Sequence, residues 1–215
     1  SNQQDIHEKL YDILDRARQS AYRKPVPDHT RNAFEHINSQ IQDFGDIILD
    51  SGCGTGESVH KLSKLYPDAL ILGIDKSFTR IKKALKRPEC KNIAFIQAEY
   101  FDFWRLAVQN EWTIKKHYLL YPNPWPKKEH VRRRIHGHPA FGCLLDLGSE
   151  IELRSNWSIY IREFSSAVNY ITGMDAVWNQ FEPETPITLF EQKYMQSGHI
   201  LYKCTFNPGE SNDRP

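Results

Sequence analysis

Two short apolar runs, each ending in an aspartate, constrain this chain more than any other feature. Ile47-Ile48-Leu49 runs into Asp50, and Leu70-Ile71-Leu72-Gly73-Ile74 runs into Asp75. Runs this short and this apolar read as strands buried on both faces. Between them lie Gly52-Cys53-Gly54-Thr55-Gly56 and a stretch with Val59, Leu62 and Leu65 at helical spacing, closed by Pro67. The alternation continues. Ser77 is placed to cap a helix carrying Ile81, Ala84 and Leu85, and Ile93–Ile96 reads as a strand. Phe101–Val108 reads as a helix, and His117–Tyr121 as a strand stopped by Pro122, Pro124 and Pro126. After Pro139 come a helix (Phe141, Leu144, Leu145), a strand (Ile151-Glu152-Leu153) and a helix (Trp157, Ile161, Phe164, Val168). Ile200–Phe206 alternates as a last strand. Strands alternating with helices predict an α/β doubly wound, mostly parallel sheet with right-handed crossovers.

Ahead of the first strand, Ile6, Leu10, Ile13, Leu14 and Ala17 predict an amphipathic helix over residues 6–22, stopped by Pro25 and Pro27. Asp28 or Thr30 is expected to cap a second helix with Ala33, Phe34, Ile37 and Ile41. The reading divides the chain into a helical extension (1–44), one α/β domain (45–206) and a flexible tail (207–215). With 215 residues, 40% hydrophobic and 26% charged, one globular domain is expected and a disordered chain excluded. No apolar run approaches the roughly 18 residues of a membrane span, and the N-terminus carries no apolar leader. Cys53, Cys90, Cys143 and Cys204 are scattered, without a CxxC pair or a histidine at metal-ligand spacing. That pattern argues against zinc and a disulfide framework, suits a cytoplasmic protein, and reads as four small buried thiols. A net charge of +1 means that any polyanion site must be a local patch.

The glycine turn admits few ligands. A nucleotide triphosphatase loop needs a Gly-Lys-Ser/Thr ending, absent here, and the dinucleotide fingerprint places its third glycine three residues after the second, whereas Gly56 follows Gly54 by two. Glycines let a ligand approach backbone N–H groups. Asp75 sits where a carboxylate accepts ribose hydroxyls. Asp50 would repel a pyrophosphate and suits a cationic group, such as the ammonium of a methionine moiety. Two acids around this turn resemble the cofactor site of class I S-adenosylmethionine-dependent methyltransferases.

The second informative segment is Tyr121-Pro122-Asn123-Pro124-Trp125-Pro126-Lys127-Lys128, continuing to Glu129-His130-Val131-Arg132-Arg133-Arg134-Ile135. Alternate prolines stiffen a loop that places Asn123 and Trp125 at the sheet's carboxyl edge. Five Lys/Arg between 127 and 134 against Glu129 read either as a solvated face or as a phosphate contact through Arg132, Arg133 and Arg134. The segment resembles the Pro-Asp-Pro-Trp-x-Lys-x-x-His-x-x-Arg-Arg stretch of the tRNA (guanine-N7)-methyltransferase family. Arg154-Ser155-Asn156-Trp157 is similar to that family's Thr-Asp-x, and Thr188-Leu189-Phe190-Glu191-Gln192 to its Thr-Lys-Phe-Glu; a Gly-His pair (Gly198, His199) also recurs.

The resemblance implies a Rossmann-like class I fold, S-adenosylmethionine as cofactor, tRNA as substrate and no metal. It places Asp50, Gly52, Gly54, Gly56, Asp75 and Glu99 at the cofactor. Asn123, Lys127, Asn156, Thr188 and Glu191 would face the guanosine, with Asn123 in the catalytic position. Asn123 and Asn156 stand where the family has aspartate. Guanine N7 bears a lone pair and no proton, so attack on a sulfonium methyl needs alignment rather than a base. The amides then predict a slower enzyme or a changed substrate preference rather than automatic loss of activity; the rival readings are a methyltransferase acting on another RNA site or a small molecule, and a protein that binds cofactor or RNA with little or no turnover because of Asn123 and Asn156.

Overall fold

The computed structural model describes residues 2–19 and 22–209. Seven strands form one sheet: β1 (Asp46–Ser51), β2 (Ala69–Asp75), β3 (Ile93–Gln97), β4 (Lys116–Leu120), β5 (Glu150–Ser155), β6 (Val177–Phe181) and β7 (Leu201–Phe206). Their spatial order is β3-β2-β1-β4-β5-β7-β6. Pairings from β3 through β5 are parallel, while β7 runs antiparallel to both β5 and β6. The chain reverses its direction of travel across the sheet between β1 and β4, so the crevice outside their carboxyl ends is the place where ligands bind in open α/β sheets.

Among the described residues, eight α-helices accompany the sheet: α1 (Leu10–Gln19), α2 (Asp28–Asn38), α3 (Glu57–Leu65), α4 (Phe78–Ala84), α5 (Tyr100–Gln109), α6 (Phe141–Asp146), α7 (Ser158–Thr172) and α8 (Leu189–Gln196). β2 is buried at every position, as its unbroken apolar run requires. One core is built from Leu49, Leu72, Phe103, Trp104, Leu119, Leu153 and Phe164; Leu10 and Leu14 of α1 and Phe34 and Ile37 of α2 belong to it. The helical extension therefore shares the sheet's core. Among the described residues, no helix is long and apolar enough to cross a membrane.

Several expectations are corrected. Pro27, with the fixed φ its ring imposes, caps α2, and Thr30 lies inside the helix with its hydroxyl buried. The last third holds a strand and a helix that the periodicity did not mark. β6 is an edge strand exposed at four of its five positions, so it lacks an inward-outward alternation, and α8 is short with only Glu191 buried. Cys53 and Cys204 are buried, but Cys143 is half-buried and Cys90 exposed, because Cys90 falls in the loop between α4 and β3. The tail is described only through residue 209; the remainder of 207–215 lies outside the described residues.

Candidate active site

Asp50, Asp75 and Glu99 lie at or just beyond the carboxyl ends of β1, β2 and β3, three neighbouring strands. Gly52 and Gly54 have φ of 88° and 58°, a left-handed backbone favouring glycine, and a Cβ at either would project into open space. Gly56, φ 79°, begins α3 so close to the sheet that a Cβ would sit 2.7 Å from the Phe95 ring.

Four of the loop's backbone donors are already engaged. Gly52 N and Cys53 N donate to Ile74 O at 2.7 and 3.0 Å, Gly56 N to Cys53 O at 3.0 Å, and Gly54 N to Asp75 Oδ2 at 3.1 Å. Three of these bonds tie the loop to β2, and the fourth closes the loop on itself. A turn with spent amides is a poor phosphate cradle.

The acids, by contrast, keep capacity. Asp50 is buried; Ser58 Oγ donates to its Oδ2, while Oδ1 has no hydrogen-bond partner among the described residues. Burial, reinforced by Asp75 and opposed by the Ser58 hydrogen bond, pushes the Asp50 carboxyl up to about 7. The sequence suggested a fixed anion; the fold gives one that ionises fully when a cation comes to share its burial. Asp75 accepts from Ser77 N at 2.8 Å besides Gly54 N, with Arg80 at 3.6 Å, which leaves lone pairs for hydroxyl donors. Glu99 caps α5, with Lys76 at 3.7 Å, and burial pushes its carboxyl up against the lowering influence of Lys76.

The other half of the site surrounds β4 and β5. Tyr121 and Trp125 have φ of 53° and 46°, strained values for non-glycine residues that mark the segment after β4. Asn123 is exposed, and its Oδ1 accepts from Trp125 N at 3.4 Å. Asn156, just past β5, is half-buried, with its Nδ2 at 3.3 Å from His199 Nδ1. Thr188 caps α8 by accepting from Glu191 N at 2.9 Å.

Glu191 is fully buried and heavily used. It accepts from Tyr121 OH (2.7 Å), Arg154 Nη1 (2.9 Å) and Ile187 N (2.7 Å). Burial and the Glu191 carboxylate both push the Tyr121 phenol up, so it donates throughout the working pH range. Lys127, Arg132 and Arg133 are exposed, and the Arg133 guanidinium lies 4.8 Å over the Trp125 ring. Arg134 is different. It is fully buried and paired with Glu163, so it is removed from the set of phosphate contacts.

Sequence reasoning gave no role to Ser58, Tyr121, Arg154 or Glu163, and it set Arg134 among the phosphate contacts. Only Glu163 carried a signal, as an acid among the apolar positions of α7. Among the described residues, no group of three or more His, Cys, Asp or Glu side chains could hold a metal ion.

A parallel sheet with an antiparallel β7, a glycine turn and acids at three successive strand ends define the class I methyltransferase architecture. A family described as "Putative methyltransferase" matches residues 45–204. The chain belongs to that family, and S-adenosylmethionine is the cofactor its site has to accommodate. The chain is 28% identical to the tRNA (guanine-N(7)-)-methyltransferase of Aquifex aeolicus, over 74% of this chain and 55% of that protein. It is also 28% identical to the enzyme of the same name from Nitrosococcus oceani, over 74% of this chain and 70% of that one. The chain thus spans about half the length of the Aquifex relative. Among solved structures, an antibiotic-related methyltransferase superposes with a TM-score of 0.59 at 16% identity, covering 80% of this chain and 93% of the other. The 16S rRNA methyltransferase KamB gives 0.55 at 16%, covering 86% and 96%. These two likenesses concern the fold alone.

The residues present fit the cofactor. An unpartnered buried carboxylate oxygen on Asp50 suits an ammonium, Asp75 has lone pairs for ribose hydroxyls, and open space at Gly52 and Gly54 leaves room.

Proposed function

We propose that this chain transfers the methyl group of S-adenosylmethionine to N7 of a guanine in tRNA, in a cytoplasmic setting. The observation that carries the cofactor half is the Asp50 oxygen that has no hydrogen-bond partner among the described residues, beside a turn whose glycine amides are engaged within the fold. The names of the Aquifex and Nitrosococcus relatives support the substrate half. The bound cofactor supplies an electrophilic methyl on a sulfonium. Asp50, Asp75 and Glu99 would hold and orient it.

N7 needs no deprotonation, so the task of the remaining residues is to align the base and accommodate the positive charge that grows on it. Asn123, on the strained loop, offers an amide oxygen for that purpose. Asn156 and Thr188 are placed at the neighbouring strand end and at the start of α8, toward the same edge. Glu191, with three donors already on its carboxylate, would act by holding Tyr121 while keeping limited capacity for a guanine N–H. Lys127, Arg132 and Arg133 are exposed cations available to phosphates.

Incubation with radiolabelled cofactor and bulk tRNA, followed by digestion to nucleosides, tests the reading. Label in 7-methylguanosine supports it. Label in another nucleoside means that the two amides have redirected the site, and cofactor binding without transfer to any RNA overturns the assignment of turnover.

A further inference from the structure

The loop at residues 121–127 cannot hold its own shape. Pro122, Pro124 and Pro126 have no backbone N–H, and Trp125 sits at φ 46°, a conformation that persists only where its surroundings over-determine it. The surroundings that do so come from a buried charged cluster. Arg134 Nε and Nη2 both donate to Trp125 O (3.2 and 2.9 Å), and Nη2 also reaches Lys127 O at 3.3 Å. Nη1 donates to Glu163 Oε2, and Nη2 to Gln3 Oε1 at 3.1 Å.

Glu163 collects the other side: Gln3 Nε2, His7 N at 2.8 Å and His136 Nε2 at 2.9 Å. Gln3 N donates to Pro126 O at 2.9 Å, and Asn2 forms a β-bridge with Lys127. The N-terminal strand-like segment is thus laid along the back of the loop and tied to it through Arg134. Arg134, His136 and Glu163 are all fully buried, and Gln3 nearly so. A buried ion pair rarely adds stability beyond what apolar side chains of the same volume would give, so its retention calls for a role in fixing geometry.

We propose that Arg134 and Gln3, backed by Glu163, are positioning residues for methyl transfer: Arg134 grips the Trp125 and Lys127 carbonyls, the Gln3 side chain holds Arg134 in that pose, and together they set the loop that presents Asn123 to the acceptor base. The claim rests on the functional reading above for what the loop presents, and on geometry alone for the grip itself. Arg134 thereby takes no part in phosphate contact, although it ends the basic run.

Gln3→Met and Arg134→Lys in the full chain test this. Gln3→Met keeps the volume and the buried charge pair while deleting the links to Arg134 and Glu163; Arg134→Lys keeps the charge but loses the forked grip on two carbonyls. Hydrogen exchange should quicken in residues 121–133 while residues 47–57 and 189–196 keep their protection. Cofactor affinity by calorimetry should stay within about twofold. The turnover number with tRNA should fall about tenfold for Gln3→Met and about 100-fold for Arg134→Lys, with KM moving less. Unchanged exchange in 121–133 overturns the proposal. So does exchange that rises evenly along the chain with activity tracking the folded fraction, which would mark a purely structural role. If the wild type methylates no RNA, the functional reading fails, while the exchange measurement still decides whether the cluster sets the loop.

Discussion

The two halves of the site spend their charged groups in opposite ways. On the β1–β3 side, the glycine amides are engaged internally and the carboxylates keep open positions: among the described residues Asp50 Oδ1 has no partner, and Asp75 accepts two backbone N–H bonds beside a distant Arg80. On the β4–β5 side, the strongest charged groups are consumed internally: Glu191 by Tyr121 and Arg154, and Arg134 by Glu163 and two loop carbonyls. What remains open there are amides and exposed cations. Under the proposed function, the difference makes one half a receptor for a cationic small molecule, and the other a rigid frame around an exposed edge for a large polyanion.

The comparison breaks first at Glu191. If its carboxylate is a frame element, Glu191→Ala leaves Arg154 to Glu152 alone and strips the acceptor from Tyr121 OH and Ile187 N, and should lower unfolding stability by about 2–4 kcal/mol, read by denaturant titration. A residue kept only for substrate would leave stability unchanged. Next, Asp50→Asn should weaken cofactor binding about 100-fold by calorimetry while the fold persists, since it removes the charge and keeps the shape. A smaller change sharpens the other half. Asn123→Asp adds a carboxylate near charge developing on the base and should raise transfer to guanine N7 by up to about tenfold. A fall would mean that the amide is fitted to a different acceptor. Last, Arg132→Gln with Arg133→Gln should reduce the slope of log affinity for tRNA against log salt by up to about 2, with a modest loss of affinity; an unchanged slope returns both to a solvated face.

Most of the architecture was legible in the sequence because β1, β2 and β4 are buried apolar runs bounded by glycine, proline or aspartate, and tertiary packing only reinforces that pattern. β6 was not, since an exposed edge strand has no face to alternate toward. In the candidate site, the residue types were readable, but the state of each was not. Asp50 looks like an anion in the sequence and becomes a carboxyl near neutrality only because the fold buries it away from water, beside Asp75 and against the lowering effect of the Ser58 hydrogen bond. Arg134 looks identical to Arg132 and Arg133; it turns inward because Glu163, 29 positions away in sequence, waits behind it. Long-range pairing of this kind leaves no local period to detect.

Cofactor titration by calorimetry across pH tests the central claim most directly. Asp50 has a raised pKa when the pocket is empty, so binding of an ammonium requires it to lose its proton. Affinity for S-adenosylmethionine or its demethylated form should therefore climb, by up to about tenfold per unit, as pH rises toward 7. It should level off above that value, and decline once the ligand's own amino group deprotonates near 8. Asp50→Asn should flatten the climb. No binding heat at any pH, or an affinity in the wild type that ignores pH between 5 and 7, would contradict the account.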